Sequence, residues 1–353
     1  MSRQRLPLAG AGRFLFAFID EKAEYQSVRL RHGLAGHRDP PLLHRCAGGV
    51  HVIELHAPAV HRIEYRFELA SGIGETMLVT DPLNRLTVRD PFAQKSVIAS
   101  AEYSPPQYIR ELPAAVKGTL EELSIAGPLG KPWPAWIWTP PTSTPATPLP
   151  VIVFLDGGDW LDIAGAQSIL ANLVARGEIQ PSRAVFMRPA SRNDEYAANR
   201  VTATFLADDL PRRLADRLPW PEKPENRIAV GVSLGALCLL HAHFSHSAAF
   251  GGLILQSGAF FQPRSDPMEL EFSHFDRIAS FVAQALHDTN SNVARIPIHM
   301  TCGAGEENIV NNHIMAESLM GQGFPLTFHE QPDAHNWTCW RDSIGTGLMR
   351  LLQ

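Results

Sequence analysis

The sequence is poor in the features that mark several classes of protein. Its four cysteines, Cys46, Cys238, Cys302 and Cys339, lie far apart and form no C-x-x-C pair. That excludes a cysteine zinc knuckle or a disulfide framework and fits buried thiols in a reducing compartment. No apolar run approaches the 18 residues that a membrane-spanning helix needs. Basic charge is not in excess: 31 Lys and Arg face 36 Asp and Glu, a net charge of −5. The chain therefore carries no electrostatic footprint for nucleic acid or an anionic membrane. The opening MSRQRLPLAGAGRFLFAFIDEK has a basic start, but Asp20, Glu21 and Lys22 cut its apolar run short and no small-residue cleavage site precedes them. It reads as mature sequence. No internal repeat is present. The expectation is a cytoplasmic protein with neither nucleic acid nor membrane as partner; its oligomeric state is left open.

What the chain does contain is length and pattern. Its 353 residues are enough for about two domains, and 45% hydrophobic with 19% charged residues is ordinary for a globular protein. Up to about residue 110 the sequence is β-flavoured. GVHVIELHA (49–57) and VHRIEYRFEL (60–69) carry β-branched and aromatic residues in partial alternation. A small β-sandwich over 1–110 suits that stretch. A proline-rich seam follows at YSPPQYIRELPAA, 103–115. From 111 to 353 a second domain is expected. It opens with GTLEELSI (118–125) and PAWIWTPP (134–141), and the Pro/Thr-rich 140–150 reads as an exposed loop within that domain. Apolar strands then alternate with helices: VIVFLD (151–156), RAVFMR (183–188), RIAVGV (227–232), GLILQS (252–257), IPIHMTCG (296–303) and LTFHEQ (326–331), with helices over 163–176, 198–217, 234–246, 273–288 and 309–321. Runs of this kind predict α/β architecture, a mostly parallel doubly wound sheet covered on both faces.

One short stretch carries chemistry. GVSLG (231–235) sits where the third strand of the alternating series meets a helix. That strand–turn–helix corner exposes a serine oxygen, so Ser233 is the candidate nucleophile. A serine needs a base, and the chain order nucleophile, acid, histidine directs attention past the last strand. His335, in QPDAHNWTCW, occupies that place, whereas His329 belongs to the strand itself. The acid is expected after IPIHMTCG, where CGAGEENIV offers Glu306 and Glu307. Glu307 is the choice of the two, with Glu306 open and Asp333 a fallback. Oxyanion donors are expected from the Leu234 amide and from LDGGDW (155–160), with Gly158 the chosen donor. His241, His243 and His246 share a helix face only in part, so no metal is assigned there, and no cofactor is called for.

With those residues in view, the chain resembles the enterochelin (enterobactin) esterases of the esterase D-like α/β-hydrolases. The resemblance rests on DPLNRLTVRDPFAQKSV (81–97), VIVFLDGGDW (151–160), SRNDEYAANRVTATFLADDLP (191–211), the segment 231–261 and DAHNWTCWRDSI (333–344). It implies an α/β-hydrolase fold behind an immunoglobulin-like N-terminal domain, with Ser233 as nucleophile and His335 as base. It further implies cytoplasmic hydrolysis of the trilactone of a ferric catecholate siderophore. A strongly anionic substrate asks for positive charge. SRNDEY (191–196) resembles the family's segment with an arginine facing the substrate, so the resemblance implies Arg192 there with Glu195 orienting its loop. Trp160, Trp337 and Trp340 are candidates to line a catechol pocket. Two departures stand out: Leu234-Gly235-Ala236 replaces an aromatic and two glycines, and the acid is not clearly spelled. The rival readings are a carboxylesterase or acyltransferase for a smaller acyl ester, and an inactive hydrolase-like binding protein.

Overall fold

The computed structural model describes residues 7–353 apart from 11, 37–38, 73, 111–115, 142 and 289–291. The first six residues of the N-terminal segment and the last five of the seam, both read above, lie outside the described residues. Two compact units emerge: 1–105 with 303–307 and 330–339, and 106–302 with 308–329 and 340–353.

The first unit holds two antiparallel sheets. One is ordered β1 (Leu8–Gly10), β2 (Arg13–Ile19), β5 (Val50–His56), β4 (His44–Arg45). The other is ordered β3 (Ser27–His32), β6 (Arg62–Ala70), β9 (Gln94–Ala99), β8 (Thr87–Arg89), with β7 (Thr76–Val79) also on β6. Alternation along β2 and β6 turns Phe16 and Phe18 from one sheet onto Tyr65 and Phe67 of the other, at ring separations of 4.7 and 5.3 Å. These edge-to-face pairs form a sandwich core, and Ala334 of the late segment joins it. The DPLN turn is held by its own polar atoms. Asp81 accepts from the Tyr65 hydroxyl at 2.5 Å and from the Leu83 amide at 2.8 Å, while the Asn84 amide donates to the Val97 carbonyl at 2.7 Å. Burial raises the Asp81 pKa above the usual carboxylate value, against the pull of these donors.

The second unit is built on an eight-stranded sheet. Its strands are β10 (Thr119–Ala126), β11 (Pro132–Thr139), β12 (Val151–Leu155), β13 (Arg183–Met187), β14 (Arg227–Val232), β15 (Gly252–Gln256), β16 (Ile298–Gly303) and β17 (Leu326–Gln331). The spatial order is β10-β11-β13-β12-β14-β15-β16-β17. The first two strands and the β11–β13 pair are antiparallel, and the pairs from β13 to β16 are parallel. Strands β12, β13 and β15 are buried at every position, as a sheet covered on both faces requires. This is the α/β-hydrolase fold, with an all-β antiparallel part ahead of it.

Two helical expectations change. The helix expected over 163–176 is the shorter α2 (Ala166–Ala175), which starts only after Gly165 turns left-handed at φ 66°, and a separate α1 (Gly157–Asp162) precedes it where no helix was expected. The segment 198–217 becomes α4 (Arg200–Thr204), a π-helical turn (Phe205–Asp209) and α5 (Leu210–Leu214). Pro211, lacking an N–H, cannot close a regular α-helical bond there. Cys46 is also exposed, against the expectation of four buried thiols; Cys238, Cys302 and Cys339 are buried.

Candidate functional site

Ser233 stands between β14 and α6 (Leu234–Ser245) with φ 54° and ψ −120°. A side chain at positive φ is strained, and the neighbourhood supplies what holds it there. Its amide donates to the Gln256 carbonyl of β15 at 2.9 Å, and its carbonyl accepts from the Ala236, Leu237 and Ala259 amides. The glycines make the corner possible. A Cβ on Gly231 would lie 2.5 Å from the Gly235 carbonyl, and one on Gly235 would lie 3.3 Å from the Asp156 carboxylate. Leu234 then begins α6, so its amide lies among the first-turn donors that a helix leaves without an intrahelical acceptor.

The LDGGDW segment forms a second turn beside that corner. Asp156 adopts a left-handed conformation at φ 56° and starts α1, which places Gly157 and Gly158 in its first turn. Both glycines are crowded. A Cβ on Gly157 would meet the Met187 amide at 2.2 Å, and one on Gly158 would meet the Arg188 guanidinium at 2.0 Å. Trp160 is wholly buried, edge-on to Phe154 at 5.4 Å, so the sequence-based expectation that its ring lines a pocket is corrected: it is core.

Arg192 is paired within the protein. It begins the short α3 (Arg192–Tyr196), and its Nε and Nη2 donate to the two oxygens of buried Asp156, each at 2.8 Å. Its Nη2 also approaches the Val232 carbonyl at 3.4 Å, and its plane lies 5.6 Å from the Tyr196 ring. Burial opposes the guanidinium charge, but Asp156 more than offsets it and the pKa rises. The positive charge expected for substrate is therefore already matched by Asp156, and the fork ties α3 to the α1 turn. Glu195 does hold this loop: it is fully buried and accepts from the Ser191 amide at 2.8 Å and the Trp133 indole at 2.9 Å.

His335 and its acid belong to the first unit, whereas Ser233, Leu234, Gly158, Trp160 and Arg192 belong to the second. The imidazole Nδ1 lies 2.8 Å from Oε2 of Glu306, whose other oxygen accepts the Gly303 amide at 2.7 Å. Glu307, the choice made from sequence, is exposed, and Glu306 takes the position instead. The turn decides between them. A Cβ on Gly303 would meet the Asp333 carbonyl at 2.6 Å, so the 303–306 turn lies tightly on the histidine loop and directs Glu306 inward. Against an ionised carboxylate, which only accepts, the imidazole would carry its proton at Nδ1. Trp337 is 8% exposed at the start of α9 (Trp337–Leu351), and Trp340 donates to the Ser257 hydroxyl at 2.9 Å.

Sequence reasoning missed the group behind this loop. Arg62 of β6 is 1% exposed, donating from Nη1 to Asp333 Oδ2 at 2.7 Å and Asn336 Oδ1 at 3.0 Å, and from Nη2 to Glu64 Oε1 at 2.8 Å. Burial opposes its charge, Asp333 and Glu64 outweigh that, and the pKa rises. Burial in turn raises the Asp333 pKa despite the Arg62 charge beside it. The available signal was the spacing in RIEYRFEL, which sets Arg62 and Glu64 opposite the apolar face. It normally means solvent, and only the late loop buries it. Among the described residues no group of three or more His, Cys, Asp or Glu could hold a metal. The helix histidines are engaged singly, His243 at the Ala294 carbonyl and His246 at the Thr204 hydroxyl. Nor is any described helix long and apolar enough to cross a membrane.

A model of the Esterase family matches residues 128–351. Among curated proteins, the iron(III) enterobactin esterase of Dickeya dadantii is 23% identical over 222 residues, 62% of this chain and 51% of that protein. The iron(III) enterobactin esterase of Escherichia coli K12 is 25% identical over 223 residues, 62% and 53% respectively. The chain thus spans about half the length of the curated relatives it matches. Among solved structures, the enterobactin esterase of Shigella flexneri in the presence of enterobactin aligns over 96% of this chain and 92% of its own, at TM-score 0.74 and 18% identity. A ferulic acid esterase aligns over 68% of this chain and 99% of its own, at TM-score 0.58 and 14% identity.

Proposed function

The chain belongs to the Esterase family, and from that premise we propose that it is a serine esterase opening the ester bonds of a catecholate siderophore of the enterobactin type, so that iron is released in the cytoplasm. The observation that supports the enzymatic part is the strained corner at Ser233, since backbone strain of this kind clusters at active sites. The substrate is supported by the curated iron(III) enterobactin esterases and by the N-terminal sandwich, since the alignment with the Shigella flexneri enzyme extends through it.

In this reading Ser233 Oγ attacks the ester carbonyl carbon while its proton passes to Nε2 of His335. Glu306, on Nδ1 at 2.8 Å, holds the tautomer and stabilises the imidazolium. The carbonyl oxygen takes the negative charge and accepts from the Leu234 and Gly158 amides. The C–O bond then breaks, the leaving alkoxide takes the proton from Nε2, and the acyl group stays on Ser233. Water, deprotonated by the same nitrogen, attacks the acyl carbon and frees the serine.

A second reading, a carboxylesterase for a smaller ester, is favoured by one observation: Asp156 already occupies the Arg192 fork. Both are tested by comparing kcat/KM for ferric enterobactin, iron-free enterobactin and short p-nitrophenyl esters. The siderophore reading expects the first two to exceed the last. Hydrolysis of the simple esters alone would replace it with the second, and no hydrolysis of any would remove both.

A further inference from the structure

We infer that Arg62, from the N-terminal sandwich, is a positioning residue of the ester-cleaving reaction, holding the His335–Glu306 pair in register; this rests on the esterase reading above. His335 has no secondary structure of its own to fix it, because it lies in the loop between β17 and α9. Fixing must come from its neighbours, and these converge on one guanidinium. Asp333, two residues before the histidine, and Asn336, one after it, both accept from Nη1. The Thr338 hydroxyl reaches Glu64, which Nη2 holds, at 3.2 Å. Asn336 returns a bond to Asp333 Oδ1 at 2.8 Å, and its own oxygen accepts the Cys339 amide at 2.9 Å as α9 begins.

The same grip reaches the acid. The Asp333 carbonyl accepts the Gly305 amide at 3.0 Å, directly beside Glu306. Next to Arg62 in β6, the His61 amide donates to the Pro332 carbonyl at 2.8 Å. The base loop and the acid turn are therefore fastened to one strand, through a planar fork that a lysine could not reproduce. Arg62 acts through Asp333 and Asn336, the two residues its Nη1 holds.

A misplacement of about 1 Å in such a pair can lower turnover on the order of a hundredfold. Arg62→Gln, Arg62→Lys, Asp333→Asn and Asn336→Ala, each made in the full chain, should lower kcat by roughly ten- to a hundredfold while KM moves less than about threefold. Arg62→Lys should recover only part of what Arg62→Gln loses. The second measurement is proton NMR of the imidazole Nδ1–H that bonds to Glu306. Its downfield signal should shift or broaden in all four variants, with unchanged melting temperature in those that fold. If the Arg62 variants fail to fold, Asp333→Asn and Asn336→Ala decide, because each keeps the guanidinium buried with remaining acceptors. Unchanged kcat, or a lost kcat with an unmoved Nδ1–H signal, overturns the inference. No hydrolysis of any ester by the wild type would instead overturn the esterase reading, while the NMR signal would still report whether Arg62 holds the pair.

Discussion

The corner at Ser233 and the loop at His335 are fixed by opposite means. At the corner the backbone does the work. A parallel strand runs into a helix, glycines allow the close approach, and the serine conformation is imposed by main-chain hydrogen bonds. At the loop the main chain is irregular, and a buried guanidinium with its two carboxylates and one amide sets the geometry. Backbone control leaves a compact trace, because a sharp turn demands glycine at set spacing. Side-chain control leaves almost none, because Arg62 and Asp333 are 271 residues apart.

The comparison is broken most completely at Ser233, the proposed nucleophile. Ser233→Ala keeps the corner and its hydrogen bonds, so the melting temperature should stay within about a degree or two while kcat for ester hydrolysis falls by at least a thousandfold or so. A variant retaining a hundredth of wild-type kcat would show that another group attacks the ester.

The acid comes next. Glu306→Gln can turn its amide NH2 toward Nδ1 and leave the imidazole proton on Nε2, the wrong nitrogen for a base. A loss on the order of a hundred- to ten-thousandfold in kcat is expected. Glu307→Gln, at an exposed position, should leave kcat within about twofold. Steady-state rates of the two variants side by side decide the matter, and the reverse order would return the acid to Glu307.

Acid should test two buried histidines of the second unit. His241 and His299 lie in the second unit as buried imidazoles. Burial, and then the neighbouring charges of Arg200, Arg277 and His246, lowers the His241 pKa from 6.5 to about 4. Burial, followed by His329 and Arg350, lowers that of His299 to about 4 as well. Each native group stays neutral where the unfolded one has taken a proton, so stability is complete above about pH 6.5 and declines as pH falls toward 4. Between about pH 6.5 and 5 each histidine should cost on the order of 2 kcal/mol. Urea midpoints across that range check it, and His299→Gln should flatten the decline. A pH-independent midpoint would mean that these rings are not buried neutral.

How much of this could be read from sequence follows the same division. The apolar runs of the second unit gave its parallel strands to within a residue or two: RIAVGV is β14, and GLILQS ends one residue beyond β15. Gly-x-Ser-x-Gly marked the corner because a Cβ on Gly231 would meet the Gly235 backbone and one on Gly235 would press on the Asp156 carboxylate. Glu306 and Glu307 could not be separated, because which of them turns inward depends on Gly303 resting against Asp333, a contact between distant segments. The Asp156 partner of Arg192 was missed for a related reason. It lies in the LDGGDW turn, read above for its glycines while its aspartate went unassigned. Trp160 was drawn toward the site by the same motif, although its ring only fills the space beside Phe154.

Arg192 gives the finest test of the comparison, because its expected selective effect is close to none. Its fork on Asp156 resembles the Arg62 cluster more than a free substrate-binding cation, so replacing it should damage the corner's surroundings without distinguishing substrates. Its side chain is 37% exposed, so solvent screens the pair and the stability lost in Arg192→Met should be only about 1–2 kcal/mol. Leaving the Asp156 carboxylate without its fork should loosen the α1 turn that carries Gly158. Turnover of an anionic siderophore and of a neutral p-nitrophenyl ester should then fall together, their kcat/KM ratio staying within about threefold of wild type. Raising salt from low to about 0.5 M should leave that ratio unchanged as well, since no charge–charge attraction to substrate is being screened. A loss confined to the siderophore, shrinking with salt, would show that Arg192 leaves Asp156 to meet the substrate, and the anion-binding role expected from sequence would stand.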